Sequence, residues 1–245
     1  MSARLSRESP LLAEMSGRGI RIAVVDSGVA ASHPHVGAVG SGCALVGDDP
    51  ADVADRLGHG TAVFAAIREQ VPDAELLPVR VLDRQLATSA RILAQAIDWA
   101  VQAGVHIVNL SFGTTNAAHL PLFEASLALA EMRGVAVISA HSNGEALWFP
   151  GSMHGAVGVV AESAMPRSAI AVVETGTGRC VTASPYPRPI PGVPVERNLS
   201  GVSFAVANAT GVIARALQAG APAAPRDALL DWIAARALPE SPIAG

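Results

Sequence analysis

Residues 20–28 read Ile-Arg-Ile-Ala-Val-Val-Asp-Ser-Gly, and this stretch decides the fold. From Arg21 to Val25 the chain is apolar at both odd and even positions after the arginine, so a strand formed here buries both faces. Strands of that kind belong to parallel sheets covered by helices on two sides. Asp26 ends the run with a carboxylate, and Ser27 and Gly28 signal a turn. A carboxylate at the carboxyl end of a buried strand stands where α/β proteins place their sites. Taken alone, a turn or a helix cap accounts for it as well.

Similar short runs recur along the chain and alternate with segments of helical period, the pattern of βα units feeding a parallel sheet. The strand candidates are 21–25, 75–82, 105–110, 135–140, 156–161 and 169–173. Between them, 89–103 places Ile92, Ala96, Ile97 and Ala100 on one face, with Ser89 as a cap and Gly104 as a stop. Residues 122–133 end likewise at Gly134. The segment 204–219 is so rich in alanine that it must pack closely, and 226–238 follows the break Ala-Pro-Ala-Ala-Pro. Residues 182–198 carry five prolines and read as a long surface loop, where binding residues often sit. No repeat and no linker is found. The expectation is one domain over 1–245, a three-layer α/β fold with a mainly parallel central sheet flanked by helices.

Composition narrows the function classes. The 245 residues include 17 basic and 21 acidic ones, a net charge of −4, and half of the chain is hydrophobic. No block of like charge is present to track a phosphate backbone or an anionic membrane, so nucleic acid and membrane are not expected partners. Nothing approaches the roughly 20 apolar residues of a membrane span. The first 20 residues lack the continuous apolar stretch of a secretion signal. Cys43 and Cys180 are read as buried thiols rather than a disulfide framework. These features lead to the expectation of a cytoplasmic protein.

Three segments carry groups fit for nucleophilic catalysis. A serine hydroxyl needs a base beside it, a carboxylate to orient that base, and donors for the oxyanion. Asp26 offers the carboxylate. His59, in Gly-His-Gly-Thr before an apolar run, sits at a helix entrance, where a capping or solvated histidine is the plainer reading. Ser203, in Gly-Val-Ser-Phe-Ala, begins a helix whose free N–H groups favour negative charge, though most such serines are simple caps. The order Asp, His, Ser is the one the chain order of subtilisin shows.

Here a family resemblance becomes specific. Ile-Ala-Val-Val-Asp-Ser-Gly-Val-Ala-Ala-Ser-His-Pro-His-Val resembles the aspartate motif of subtilisin-like serine proteases, the S8 family. Gly-His-Gly-Thr-Ala-Val-Phe-Ala-Ala resembles their histidine motif, and Gly-Val-Ser-Phe-Ala-Val-Ala-Asn-Ala-Thr-Gly their serine motif. The similarity covers about residues 19–217. It implies a serine endopeptidase acting on a peptide or protein substrate, with Asp26 orienting His59, His59 as base and then acid, and Ser203 forming the acyl-enzyme. Asn143, after a strand, matches the family's oxyanion asparagine. Ser111, Phe112 and Gly113 match the edge on which an extended substrate pairs. Trp148 and Glu145, in a segment shorter than is usual, are expected near the pocket for the residue before the cleaved bond, where small or basic side chains would be preferred. A core position for Trp148 and a solvated Glu145 are the plainer alternative.

The departures carry expectations too. Ala62 stands for a second histidine, Phe204 for a methionine, and Ala207 with Asn208 for a Pro-His pair. None removes a catalytic proton. His35 stands where an aspartate ligand of the family's calcium site is usual, and 68–75 is too short for the liganding loop, so no metal and no cofactor is expected. With only 25 residues before Asp26, folding without a pro-region, or with a separate assisting chain, is expected. A restricted task such as precursor maturation suits a cytoplasmic protease best. A peptide-binding pseudoprotease is the alternative.

Overall fold

The computed structural model describes residues 3–85, 87–143 and 146–239. In chain order the elements are β1 (Ala3–Ser6), β2 (Arg21–Asp26), β3 (Cys43–Ala44), α1 (His59–Gln70), β4 (Glu75–Arg80), α2 (Ala90–Gln102) and β5 (Ile107–Leu110). There follow α3 (Leu120–Met132), β6 (Ala136–Ala140), β7 (Ser142–Asn143), β8 (Ala146–Leu147) and β9 (Ala156–Ala161). The chain closes with β10 (Ala169–Thr175), β11 (Gly178–Ala183), α4 (Val202–Gln218), α5 (Arg226–Arg236) and β12 (Leu238–Pro239).

Among the described residues the main sheet runs β12-β1-β10-β11-β9-β6-β5-β2-β4-β3. From β11 to β3 every neighbouring pair is parallel, and antiparallel pairing is confined to the edge made by β12, β1, β10 and β11. Alternation along the strands feeds two cores. Ile22 and Val24 of β2 join one cluster with α1, α4 and α5, while Ala23 and Val25 join the other with α2 and α3. In β6, Ala136, Ile138 and Ala140 face the first cluster and Val137 the second. A sheet between two helical layers is the arrangement expected from strands apolar on both faces.

The strands and helices expected from the sequence are observed to within a few residues, while β1, β3, β7, β8, β11 and β12 were not foreseen, and one reading is corrected. The proline-rich stretch was expected to be loop from 182, yet β11 extends to Ala183. Cys180, Val181 and Ala183 are buried and pair with β10 and β9, so burial holds the strand until Pro185 cannot donate a ladder hydrogen bond.

Two buried side chains and one glycine set where α4 lies. Asn208 is fully buried and its Nδ2 donates to the carbonyls of Ser184 and Tyr186, fastening the helix to the segment after β11. Arg215 donates from Nε to the Gln70 carbonyl at 2.7 Å and from Nη1 to Leu12 and Met15, pinning the N-terminal segment to the same helix. Gly211 faces Gln70 so closely that an added Cβ would meet the Gln70 Cβ at 2.3 Å. Only glycine lets α4 approach α1 to this distance. Both helices start at the carboxyl end of the sheet, which brings His59 and Ser203 to one end of the molecule.

Candidate active site

Asp26 is the last residue of β2 and is fully buried. Its Oδ1 lies 2.7 Å from Nδ1 of His59, the first residue of α1, and also accepts the Ser27 N–H at 2.7 Å. Oδ2 has no hydrogen-bond partner among the described residues, so the carboxylate is compensated through Oδ1 alone. An Nδ1–H donated to Asp26 leaves Nε2 of His59 unprotonated and able to accept a proton. Burial opposes charge on His59. The hydrogen bond to Asp26 and the charges of Asp26 and Asp55 outweigh it, and the pKa is raised above its ordinary value.

The imidazole is flanked by two aromatic rings, Phe112 with its centroid at 5.5 Å and Phe204 at 6.1 Å. Ser203 precedes Phe204 in the first turn of α4 and is half-buried, one residue from the ring whose centroid lies 6.1 Å from the imidazole. The first N–H groups of α4 have no carbonyl one turn earlier to pair with, and that end of the helix favours negative charge. Asn143 is placed in β7, which continues from β6 through His141. His141 is buried, with Nε2 2.8 Å from Thr177 Oγ1, its N–H on the Val159 carbonyl and its carbonyl accepting the Trp148 N–H. Burial lowers its pKa, which suits a neutral residue that shapes the strand end.

The expected substrate edge is only partly a side-chain surface. Ser111 is buried and its Oγ accepts from Asn109 Nδ2, within a chain that continues to Thr210 of α4, so only its main chain can meet a substrate. Phe112 and Gly113 line a cavity of about 500 Å³ together with Leu82, Ser89, Leu93 and Leu122. Thr114 exchanges two hydrogen bonds with Phe149, which lays the 146–149 segment alongside. Trp148 is half-buried, packs against the first core cluster, and comes within 3.2 Å of where a Cβ on Gly113 would stand. Glu145 lies outside the described residues. A second cavity of about 500 Å³ opens on the other flank of His59, lined by Gly58, Thr61, Ala62, Ile190 and Leu199.

Sequence reasoning missed Asp55, Ser27 and Thr61, which are hydrogen-bonded to one another beside the pair. The signal was present as an aspartate four residues before His59, but its partners are mostly backbone amides that no side-chain pattern marks.

The family model described as the subtilase family (Peptidase S8) matches residues 17–238. The chain belongs to that family. It is 30% identical to Subtilisin Savinase of Lederbergia lenta over 209 residues, 81% of this chain and 73% of that protein. It is 35% identical to a thermostable alkaline protease of Halalkalibacterium halodurans over 136 residues, 52% of this chain and 36% of that protein. The chain spans about half or less of the length of several of these curated relatives. Among solved structures it resembles the prenylagaramide maturation protease PagA, with a TM-score of 0.65 and 26% identity over 85% of this chain and 79% of that one.

Subtilases are associated with calcium, and the residues at the corner in question do not fit it. Arg68 donates from Nε to the Val36 carbonyl at 2.9 Å and from Nη2 to Ala38 at 2.7 Å. Its Nη1 reaches Pro72 at 2.9 Å and Ala74 at 2.7 Å. The carbonyl oxygens that could face a metal ion are taken by a guanidinium.

Proposed function

We propose that this subtilase is a serine endopeptidase in which Asp26, His59 and Ser203 act as the catalytic triad. The observation that carries the reading is the 2.7 Å contact between buried Asp26 and His59, with the start of α4 beside it. Ser203 Oγ attacks the peptide carbonyl carbon as His59 Nε2 takes its proton. The negative oxygen is held by the Ser203 N–H and the Asn143 amide. Collapse breaks the C–N bond and the proton passes from His59 to the leaving amine. Water, deprotonated by His59, then cleaves the ester and the proton returns to Ser203.

The substrate is an extended peptide whose main chain pairs along 111–113. A restricted, precursor-processing task inside the cell is favoured by two features. One is the likeness to a protein named as a maturation protease. The other is the pair of free, buried thiols Cys43 and Cys180, whose burial pushes each up to about 11 and which suit a reducing compartment.

The decisive experiment is treatment with a fluorophosphonate followed by mass spectrometry. A single label on Ser203, with loss of peptide cleavage in Ser203→Ala, is expected. Folded protein that takes no label, or takes it on another serine, would instead point to peptide binding without hydrolysis.

A further inference from the structure

The triad leaves one carboxylate beside His59 without a task. Asp55 precedes α1, is half-buried, and is hydrogen-bonded on both oxygens. Its Oδ1 accepts from Ser27 Oγ at 2.8 Å and from the N–H groups of Leu57 at 2.9 Å and Gly58 at 2.8 Å. Its Oδ2 accepts from the Thr61 N–H at 2.8 Å and from Thr61 Oγ1 at 2.6 Å. Ser27 adjoins Asp26, and Leu57 to Thr61 bracket His59, so these donors come from the two segments that hold the pair. Ser27 closes the circuit: its Oγ receives the Gly60 N–H at 2.9 Å, and its own N–H goes to Asp26.

Helix capping accounts for part of this. Gly58 is the residue before α1 and has no side chain, so the N–H groups of Gly60 and Thr61 need acceptors, which Ser27 and Asp55 supply. Capping does not require the bond from Ser27, which crosses to another element of the fold. Nor does it require that the acceptor be charged, since serine or asparagine caps as well. A charge matters here for a separate reason. His59 becomes a cation each time it takes the serine proton, and a fixed anion nearby lowers the energy of that state. Burial works against ionised Asp55, but the hydrogen bonds from Thr61, Leu57 and Ser27 prevail and hold its carboxyl below the usual range.

We infer that Asp55 is a positioning residue for the Asp26–His59 pair, locking the end of β2 to the start of α1 and setting a second negative charge behind the imidazole. It touches neither substrate nor the reacting atoms and acts through His59. This inference rests on the hydrolytic reading given above.

The test uses the whole chain and two variants. Wild-type protein is first titrated with a fluorophosphonate; failure at that step defeats the hydrolytic reading, not this one. Asp55→Asn keeps the shape of the side chain and removes its charge, while Ser27→Ala cuts the tie and leaves both charges in place. With a chromogenic peptide that the wild type turns over, Asp55→Asn should lower kcat about tenfold or more with KM within about twofold. Its acid limb in kcat/KM should move to lower pH, a change that loss of a structural cap alone does not produce. Ser27→Ala should lower kcat by a few fold and leave the acid limb where it is. Folded Asp55→Asn with the wild-type kcat or the wild-type acid limb overturns the inference. If Asp55→Asn does not fold, Ser27→Ala decides it, and a wild-type kcat there overturns it as well.

Discussion

The two ends of α1 are held by opposite charges. At its start Asp55 collects N–H groups, and near its end Arg68 collects the carbonyls of Val36, Ala38, Pro72 and Ala74. Each charge suits the end it occupies, an anion where amides are free and a cation where carbonyls are. The difference lies in what each end adjoins. The Asp55 end holds His59, so in the proposed mechanism the charge there bears on proton transfer. The Arg68 end holds two surface segments against the helix and has no reacting group near it. On the proposed mechanism the same electrostatic device serves chemistry at one end and stability at the other.

Substitution at position 68 should break the comparison most visibly. Arg68→Met removes the four donated bonds while keeping an apolar stem, and should cost at least about 2 kcal/mol of stability, since a single bond from a charged donor contributes on that order and rehydration of the freed carbonyls offsets much of the rest. The kcat of the folded variant should be unchanged. Because the guanidinium fills the corner, EDTA should leave the wild-type melting temperature and activity in place. A large loss on EDTA treatment, restored by calcium, would show that this end of α1 is held by a metal after all.

Acidity sharpens the other side. His59 must be neutral to accept the serine proton, and its raised pKa means that activity should fall about tenfold per pH unit below a value higher than the ordinary 6.5. Stability runs the other way. A histidine whose pKa is higher folded than unfolded contributes stability fully below about 6.5, and that contribution is lost as pH rises through the folded value. Over this window the melting temperature should therefore drift down as activity climbs. Parallel profiles of rate and melting temperature check it, and a flat rate from pH 5 to 8 would remove His59 as the base.

The smallest effect concerns neither end of α1 but the edge beside it. Trp148 borders Gly113, so Trp148→Gly should widen acceptance of Phe and Tyr before the cleaved bond by a few fold. Profiling both proteins on a peptide library reads this directly, and an unchanged profile separates Trp148 from substrate choice.

Much of this could be read from the chain alone, for identifiable reasons. The run 21–25 announced a doubly covered strand because burial on both faces leaves a mark at every position. His59 and Ser203 were ambiguous singly, since helix ends carry many such residues, and became legible through the order Asp, His, Ser and the motifs around them. Asp55 and Arg68 were not, because they bond to backbone groups brought near by closure of the fold, and a backbone amide or carbonyl carries no sequence mark. β11 was not foreseen and the loop was begun at 182, because prolines dominate the stretch after it, while pairing with β9 and β10 decides where the strand runs.

The close approach at Gly211 has a mechanical meaning. His59 and Ser203 each sit at the head of a straight rod, and the rods bear on one another where Gly211 meets Gln70, a little over two turns down from Ser203. Packed interiors pass displacement along rather than absorb it. That contact works as a stop, and whatever thickened it would be felt as a change in the gap between serine and histidine, roughly 12 Å away along the rod.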